Sequence, residues 1–195
     1  MAALLLLFLL AFALRAAFPD ASYLNWDESV YMLHGQLFSG QEVGYSETFL
    51  RPPLLPLLLS PLAGLPFYEL ASRFLVAFLN SLVVFPIFFL TSALFSRRAA
   101  FIATTLAAVL PVHIMNSRWI LTEALGALLA FSAVAVLVLG LRRKVNQEIA
   151  LFFALGSALA GLAVLMKFTN LLLLVLLLPL LVFTAWNKRF LAVAA

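Results

Sequence analysis

Long apolar runs separated by short polar punctuation dominate the sequence. Six can be drawn, at residues 2–18, 72–96, 99–115, 119–141, 149–166 and 171–186. None alternates apolar and polar residues with period two, and all lie close to the ~17–25 residues that cross a bilayer as a helix. Backbone amides in lipid must be bonded within their own segment, so such runs predict helices. The fold class expected is all-α: a polytopic membrane bundle of about six transmembrane helices, one N-terminal transmembrane module over residues 1–195. Pro86 and Pro179 fall inside the second and sixth runs and predict kinks. Ser157 and Gly161 place a small-xxx-small face on the fifth. Residues 113–118 and 167–170 read as turns.

One interruption is long. Residues 19–71 form a polar loop with its own punctuation. Asn25 or Asp27 is placed to cap a short helix carrying Tyr31, His34, Leu37 and Phe38 on one face, an interfacial amphipathic helix ended by Gly40. Residues 44–47 read as a turn, and Arg51-Pro52-Pro53-Leu54-Leu55-Pro56 as a stiff return toward the membrane. A second short element is expected over 54–62, closed by Pro61 and Pro66.

Charge orients this pattern. Arg97 and Arg98, then Arg142, Arg143 and Lys144, then Lys188 and Arg189 all fall on one side if each run crosses once. The loop lies on the other side and holds Asp20, Asp27, Glu28, Glu42, Glu47 and Glu69 against Arg51 alone. Basic loops stay cytoplasmic. The expected topology is therefore a cytoplasmic N-terminus with loop 19–71 outside the cytoplasm, most simply at a plasma membrane.

Composition agrees. The chain is 66% hydrophobic and 10% charged, against about 25% charged in a soluble domain. A net charge of +4 dispersed in pairs between apolar runs is no nucleic-acid signal. With no cysteine and two histidines outside any HExxH pattern, disulfide, thiolate and His-rich metal chemistry are excluded within this chain. Residues 2–18 lack a basic n-region, so an uncleaved first helix is expected over a secretory signal peptide. Residues 190–195 resume an apolar run after a basic turn, the start of a further helix. The expectation is a fragment, a truncated product or one part of a larger assembly.

The candidate chemistry gathers at the loop side. Asp27 and Glu28 are adjacent, so on a helix they point about 100° apart. One can face a cleft while the other meets a helix partner. A carboxylate at the membrane edge serves as a base or holds a divalent cation. Arg51, Arg118 and Lys167 are cations suited to a lipid phosphate. Glu123 lies about one turn inside its run, where ionisable groups are costly and are functional or paired. Tyr31 and His113 are supporting candidates. Each also has a plain reading: a solvated or capping carboxylate, an interfacial arginine, a snorkelling lysine, a turn histidine. Together they fit the transfer of a sugar from a polyprenyl phosphate, whose phosphate leaving group needs cations and whose acceptor hydroxyl needs a base.

Trp26-Asp27-Glu28-Ser29-Val30-Tyr31, followed by Gly35, Gly40 and Arg51-Pro52-Pro53-Leu54, resembles the first outer loop of C-type-fold membrane glycosyltransferases. The nearest group is the dolichyl-phosphate-mannose protein mannosyltransferase and aminoarabinose transferase superfamily. Ser117-Arg118 through Thr122-Glu123 resembles that family's outer edge of the fourth helix. Gly161-Leu162-Ala163-Val164-Leu165-Met166-Lys167 resembles its fifth-helix ending. The resemblance implies inverting transfer from a polyprenyl-phosphate sugar to a lipid, glycan or protein acceptor outside the cytoplasm. It implies Asp27 as base or metal-site residue, with a divalent cation (Mg or Mn) in some members. Six helices depart from the eleven or more of that family. Two other readings stay open: a transporter or channel module using Glu123, Lys167 and Arg118 as coupling charges, and a non-catalytic subunit or inactive remnant.

Overall fold

The computed structural model describes residues 2–17, 24–44, 51–172 and 175. Every regular element among them is helical. In chain order these are α1 (Ala2–Ala16), α2 (Trp26–Phe38), α3 (Leu54–Leu59) running into a 3-10 turn (Ser60–Leu62), α4 (Tyr68–Ser81), α5 (Val84–Leu94), α6 (Arg97–Val109), α7 (Pro111–Arg118), α8 (Thr122–Leu141) and α9 (Asn146–Met166), then a second 3-10 turn (Phe168–Asn170).

Three stretches are long and apolar enough to cross a membrane: Tyr68–Leu94, Thr122–Leu141 and Asn146–Met166. The pair α6–α7 adds a fourth if its 48° bend lies within one span. The six expected runs are thus only partly matched. α1 has 15 residues, about 22 Å at 1.5 Å per residue, short of the ~30 Å hydrocarbon core. Most of run 171–186, Pro179 included, lies outside the described residues, as do Asp20, Glu47, Lys188 and Arg189.

Prolines set the breaks. Pro86 leaves the Leu82 carbonyl without its helical partner, and that carbonyl takes the Phe85 amide at 3.0 Å instead, which marks the joint between α4 and α5. Pro111, not singled out from the sequence, ends α6. Residues 113–118, expected as a turn, continue as α7 because proline is favourable in the first turn of a helix. The break strands the carbonyls of Ala107 and Ala108, and buried Arg15 on α1 donates to both, at 3.1 and 3.0 Å, as well as to Ala11 at 2.9 Å. A buried charge is thereby spent on three backbone acceptors. Arg15→Leu should strand both carbonyls again. At about 1–3 kcal/mol per orphaned group, the thermal midpoint of the protein in nanodiscs should drop by several degrees; an unchanged midpoint would show that the bend does not need this arginine.

α8 and α9 form an antiparallel hairpin whose close approach depends on glycine. A Cβ on Gly140 would sit 2.6 Å from that of Phe152, and one on Gly156 2.6 Å from the Leu137 Cγ. The expected Ser157–Gly161 face is instead exposed, with nothing near Gly161, so the small-residue seam lies one position away. α1 packs on α4, α6 and α7, and α5 packs on α6 and α8. The largest core joins Tyr31, Leu55, Leu59, Val76, Ile120, Leu125 and Met166, and so clamps the loop helices α2 and α3 onto the ends of α4, α8 and α9.

Candidate active site

The loop helix starts where the sequence signals it. Asn25 is the N-cap: its Oδ1 accepts the Glu28 amide at 2.9 Å, and the Glu28 carboxylate accepts the Asn25 amide at 3.1 Å, a complete capping box. Gly40, at φ 84°, sits in the left-handed region that L-residues avoid, just past the end of α2. The buried side of α2 differs from expectation. Tyr31 and His34 turn into the protein, whereas Leu37 and Phe38 are exposed. The reason is the neighbour: α3 and Tyr68 cover that side. The Tyr68 hydroxyl donates to the Met32 carbonyl at 3.1 Å, beside Gly35, where any side chain would collide with it.

The two adjacent carboxylates separate as helical geometry requires. Glu28 faces inward and is 1% exposed. One of its oxygens accepts Arg73 Nη1 at 2.8 Å and the Ile120 amide at 2.9 Å; the other serves the capping box. Arg73 also donates to Glu69 at 2.9 Å and to the Arg118 carbonyl at 2.8 Å. Named with Asp27 as a catalytic candidate, Glu28 therefore lies out of reach of the cavity, and its bonds tie α2 to α4 and to the α7–α8 link. Asp27 faces the opposite way. Its Oδ1 meets Arg51 Nη2 at 2.7 Å, and both side chains are partly open to solvent. Burial acts against the charge on Arg51, but hydrogen bonds to Tyr31 and Asp27 outweigh it and raise its pKa above the usual arginine value. The guanidinium also lies 5.6 Å from the centre of the Tyr31 ring.

Opposite stands a second ion pair. Lys167 Nζ, at the end of α9, donates to Glu123 Oε1, in the first turn of α8, at 2.7 Å. Both pairs line one open basin of about 430 Å³, with Tyr31, His34, Pro52, Thr122 and Thr169 in its wall. The basin lies at the start of α8 and the end of α9, the opposite end of that hairpin from Arg142, Arg143 and Lys144. Glu123, Lys167 and Thr169 also border a second, apolar groove of about 380 Å³, walled by Leu90, Ala127, Ala130, Phe131 and Val134.

Asp27, Tyr31, Arg51, Glu123 and Lys167 are thus brought together. Arg118 and His113 do not line this basin: both sit on α7, where the Arg118 carbonyl serves Arg73 and the His113 carbonyl accepts the Ser117 hydroxyl at 2.6 Å. Two residues here escaped sequence reasoning. Arg73 was legible as an arginine inside an apolar run, four residues after Glu69. His34 carried only its place on the α2 face. Among the described residues no three His, Asp or Glu side chains gather into a ligand set. With one Asp27 oxygen already on Arg51, the donor set among these described residues does not fit a protein-built cation site.

Residues 62–194 match the model of the dolichyl-phosphate-mannose-protein mannosyltransferase family. The match takes in Arg73, Arg118, Glu123 and Lys167 and begins after Asp27, Glu28 and Arg51. No curated protein and no solved structure matches. Covering well over half of the chain, the family match places it in a known class: the protein belongs to the dolichyl-phosphate-mannose-protein mannosyltransferase family, membrane enzymes that transfer a glycosyl group from a lipid-linked sugar donor.

Proposed function

We propose that the basin transfers a sugar from a polyprenyl- or dolichyl-phosphate donor to a hydroxyl of a protein acceptor, with inversion, on the non-cytoplasmic face. The observation that carries this reading is the shared basin. It holds two partly exposed carboxylates, Asp27 on Arg51 and Glu123 on Lys167, and with them two cations, beside an apolar groove that Glu123 and Lys167 border and Asp27 does not. A lipid-linked sugar phosphate needs that combination: charge for the phosphate, apolar wall for the chain, and a base on the water side.

The step is a single displacement. The acceptor oxygen attacks the anomeric carbon, and the bond from that carbon to the phosphate oxygen breaks. The phosphate leaves with the electron pair, stabilised by Arg51 and Lys167. Asp27 takes the acceptor proton. Attack opposite the leaving group inverts the anomeric configuration. No step is routed through a metal ion. The basic residues Arg97, Arg98, Arg142, Arg143 and Lys144 support a cytoplasmic side for their loops by the positive-inside rule, and with it a basin on the other side. Glu123 and Lys167 stand at helix ends and not midway along α8 and α9, which favours transfer at the membrane face over a transporter's midmembrane site.

The test is transfer of labelled mannose from dolichyl-phosphate mannose to a Ser/Thr-containing peptide by the protein in nanodiscs. Arg51→Met should raise the donor KM about tenfold, the loss of one charge-assisted contact of ~1.5–3 kcal/mol discounted for its partial exposure. A wild-type protein that binds no donor and transfers nothing would overturn this reading in favour of the remnant.

A further inference from the structure

The Glu123–Lys167 pair has a property that the other buried or half-buried ion pairs of the site lack. It stands on the border of two cavities at once, the polar basin and the apolar groove. A ligand with its headgroup in the basin and its chain in the groove has to pass this pair. The pair is also exchangeable. Both side chains are a third to a half exposed, in contrast to Glu28 and Arg73 at 2% each.

We propose that Glu123 is a placeholder for the donor's phosphate: it takes the Lys167 ammonium as a phosphate oxygen would, and the donor binds by exchanging for it. The inference rests on the donor reading above and adds a role for Glu123 within it.

Three observations support exchange over a fixed structural link. First, the backbone around Lys167 is anchored without Glu123. The Lys167 amide donates to the Ala163 carbonyl at 3.0 Å, its carbonyl accepts the Asn170 amide at 3.0 Å, and the Asn170 side chain donates to Ala163 at 2.8 Å. Second, Gly126, one turn beyond Glu123, leaves room for that anchor: a Cβ there would come to 2.9 Å from Asn170 Nδ2. The spacing of α8 and α9 at this level is therefore set by backbone and glycine, and the long lysine stem is free to swing. Third, the charges match. A sugar-phosphate diester carries one negative charge, as Glu123 does, so the exchange leaves Lys167 neutralised throughout.

The reaction breaks that balance. Its leaving group is a phosphate monoester, with a charge of about −1.5 to −2 at neutral pH, which Lys167 holds harder than the diester. A carboxylate at 2.7 Å from the same ammonium competes for it and speeds product departure. Glu123 is in this sense a positioning residue for Lys167 and a release device for the product.

The experiment uses Glu123→Gln and Glu123→Ala in the full chain in nanodiscs, with dolichyl phosphate as the probe and dolichol as the uncharged comparator. Both variants should bind dolichyl phosphate about two- to fivefold more tightly, the scale of one partly exposed ion pair, with dolichol unchanged. Steady-state kcat and donor KM should fall together, while the first turnover keeps its rate. In a Lys167→Met background the gain should vanish. Wild type that binds dolichyl phosphate, with Glu123→Gln equal or weaker, would overturn the placeholder and leave the donor reading standing. A gain that persists without Lys167 would reduce Glu123 to general repulsion, which also overturns it. Wild type that does not bind dolichyl phosphate would remove both.

Discussion

Arg73→Met will leave the Glu28 carboxylate buried with its cation gone, and the expected result is loss of about 3–5 kcal/mol of stability, the usual cost of breaking one half of a buried pair. The local geometry makes the loss hard to absorb. Glu28 keeps two backbone amides, from Asn25 and Ile120, but neither carries a full charge. Glu69 and the Arg118 carbonyl, both acceptors, lose their donor in the same substitution. The double variant Arg73→Met, Glu28→Gln removes both charges and should recover a large part of the deficit, because a neutral amide is far cheaper to bury than a carboxylate. The check is a double-mutant cycle from thermal unfolding in nanodiscs, followed by tryptophan fluorescence; exposed Trp26, one residue from Asp27, reports on the same corner. Single and double variants that melt with the wild type would show that the pair does not hold α2 in place.

Asp27→Asn should behave in the opposite way, with stability kept and chemistry lost. The side chain is half exposed, and the bond the structure gives it is to Arg51, itself partly exposed. Such pairs contribute about 0–1 kcal/mol. As the base for the acceptor proton, however, Asp27 is worth about 10²–10⁴ in rate. Sugar transfer should fall by that factor in single turnover, with the thermal midpoint within a degree or two of wild type. Donor binding should hold or tighten slightly, since Arg51 no longer shares itself with a carboxylate. Transfer within about twofold of wild type would remove Asp27 as the base and leave the donor-binding argument untouched.

The contrast between these two neighbours shows what a sequence can carry. The cap at Asn25, one of the two residues expected to supply it, the Gly40 stop, the Pro86 joint and the short element at 54–62 all follow from local chemistry, and all stand in the structure near their expected places. That Asp27 and Glu28 diverge is also local, a matter of 100° per residue. Which of them turns inward is not, because it depends on Arg73, 45 residues away, and on Ile120, 92 residues away. The turn expected at 113–118 failed on a single residue, Pro111, whose preference for a helix start outweighs the polar look of His113, Asn116 and Arg118. The small-residue seam was misplaced by one position because periodicity gives the face of a helix only roughly, and the choice between Gly156 and Ser157 is made by Leu137 across the hairpin. Arg118 and His113 were grouped with the site by their end of the bundle; α7 carries them away from the basin.

The wide sequence spacing of Glu28's partners sets an order of assembly. During synthesis this carboxylate emerges long before either of them and stays hydrated at the edge of the bilayer. Arg73 arrives with α4 and supplies the charge; the Ile120 amide arrives only with the start of α8. The burial of Glu28 is therefore finished late, when α1 to α7 have already been made. A chain stalled after α4 holds the ion pair open to water, and the entry of α8 is the event that seals it. The loop helix bearing Asp27 is made early and is fixed only when Ile120 and the start of α8 arrive.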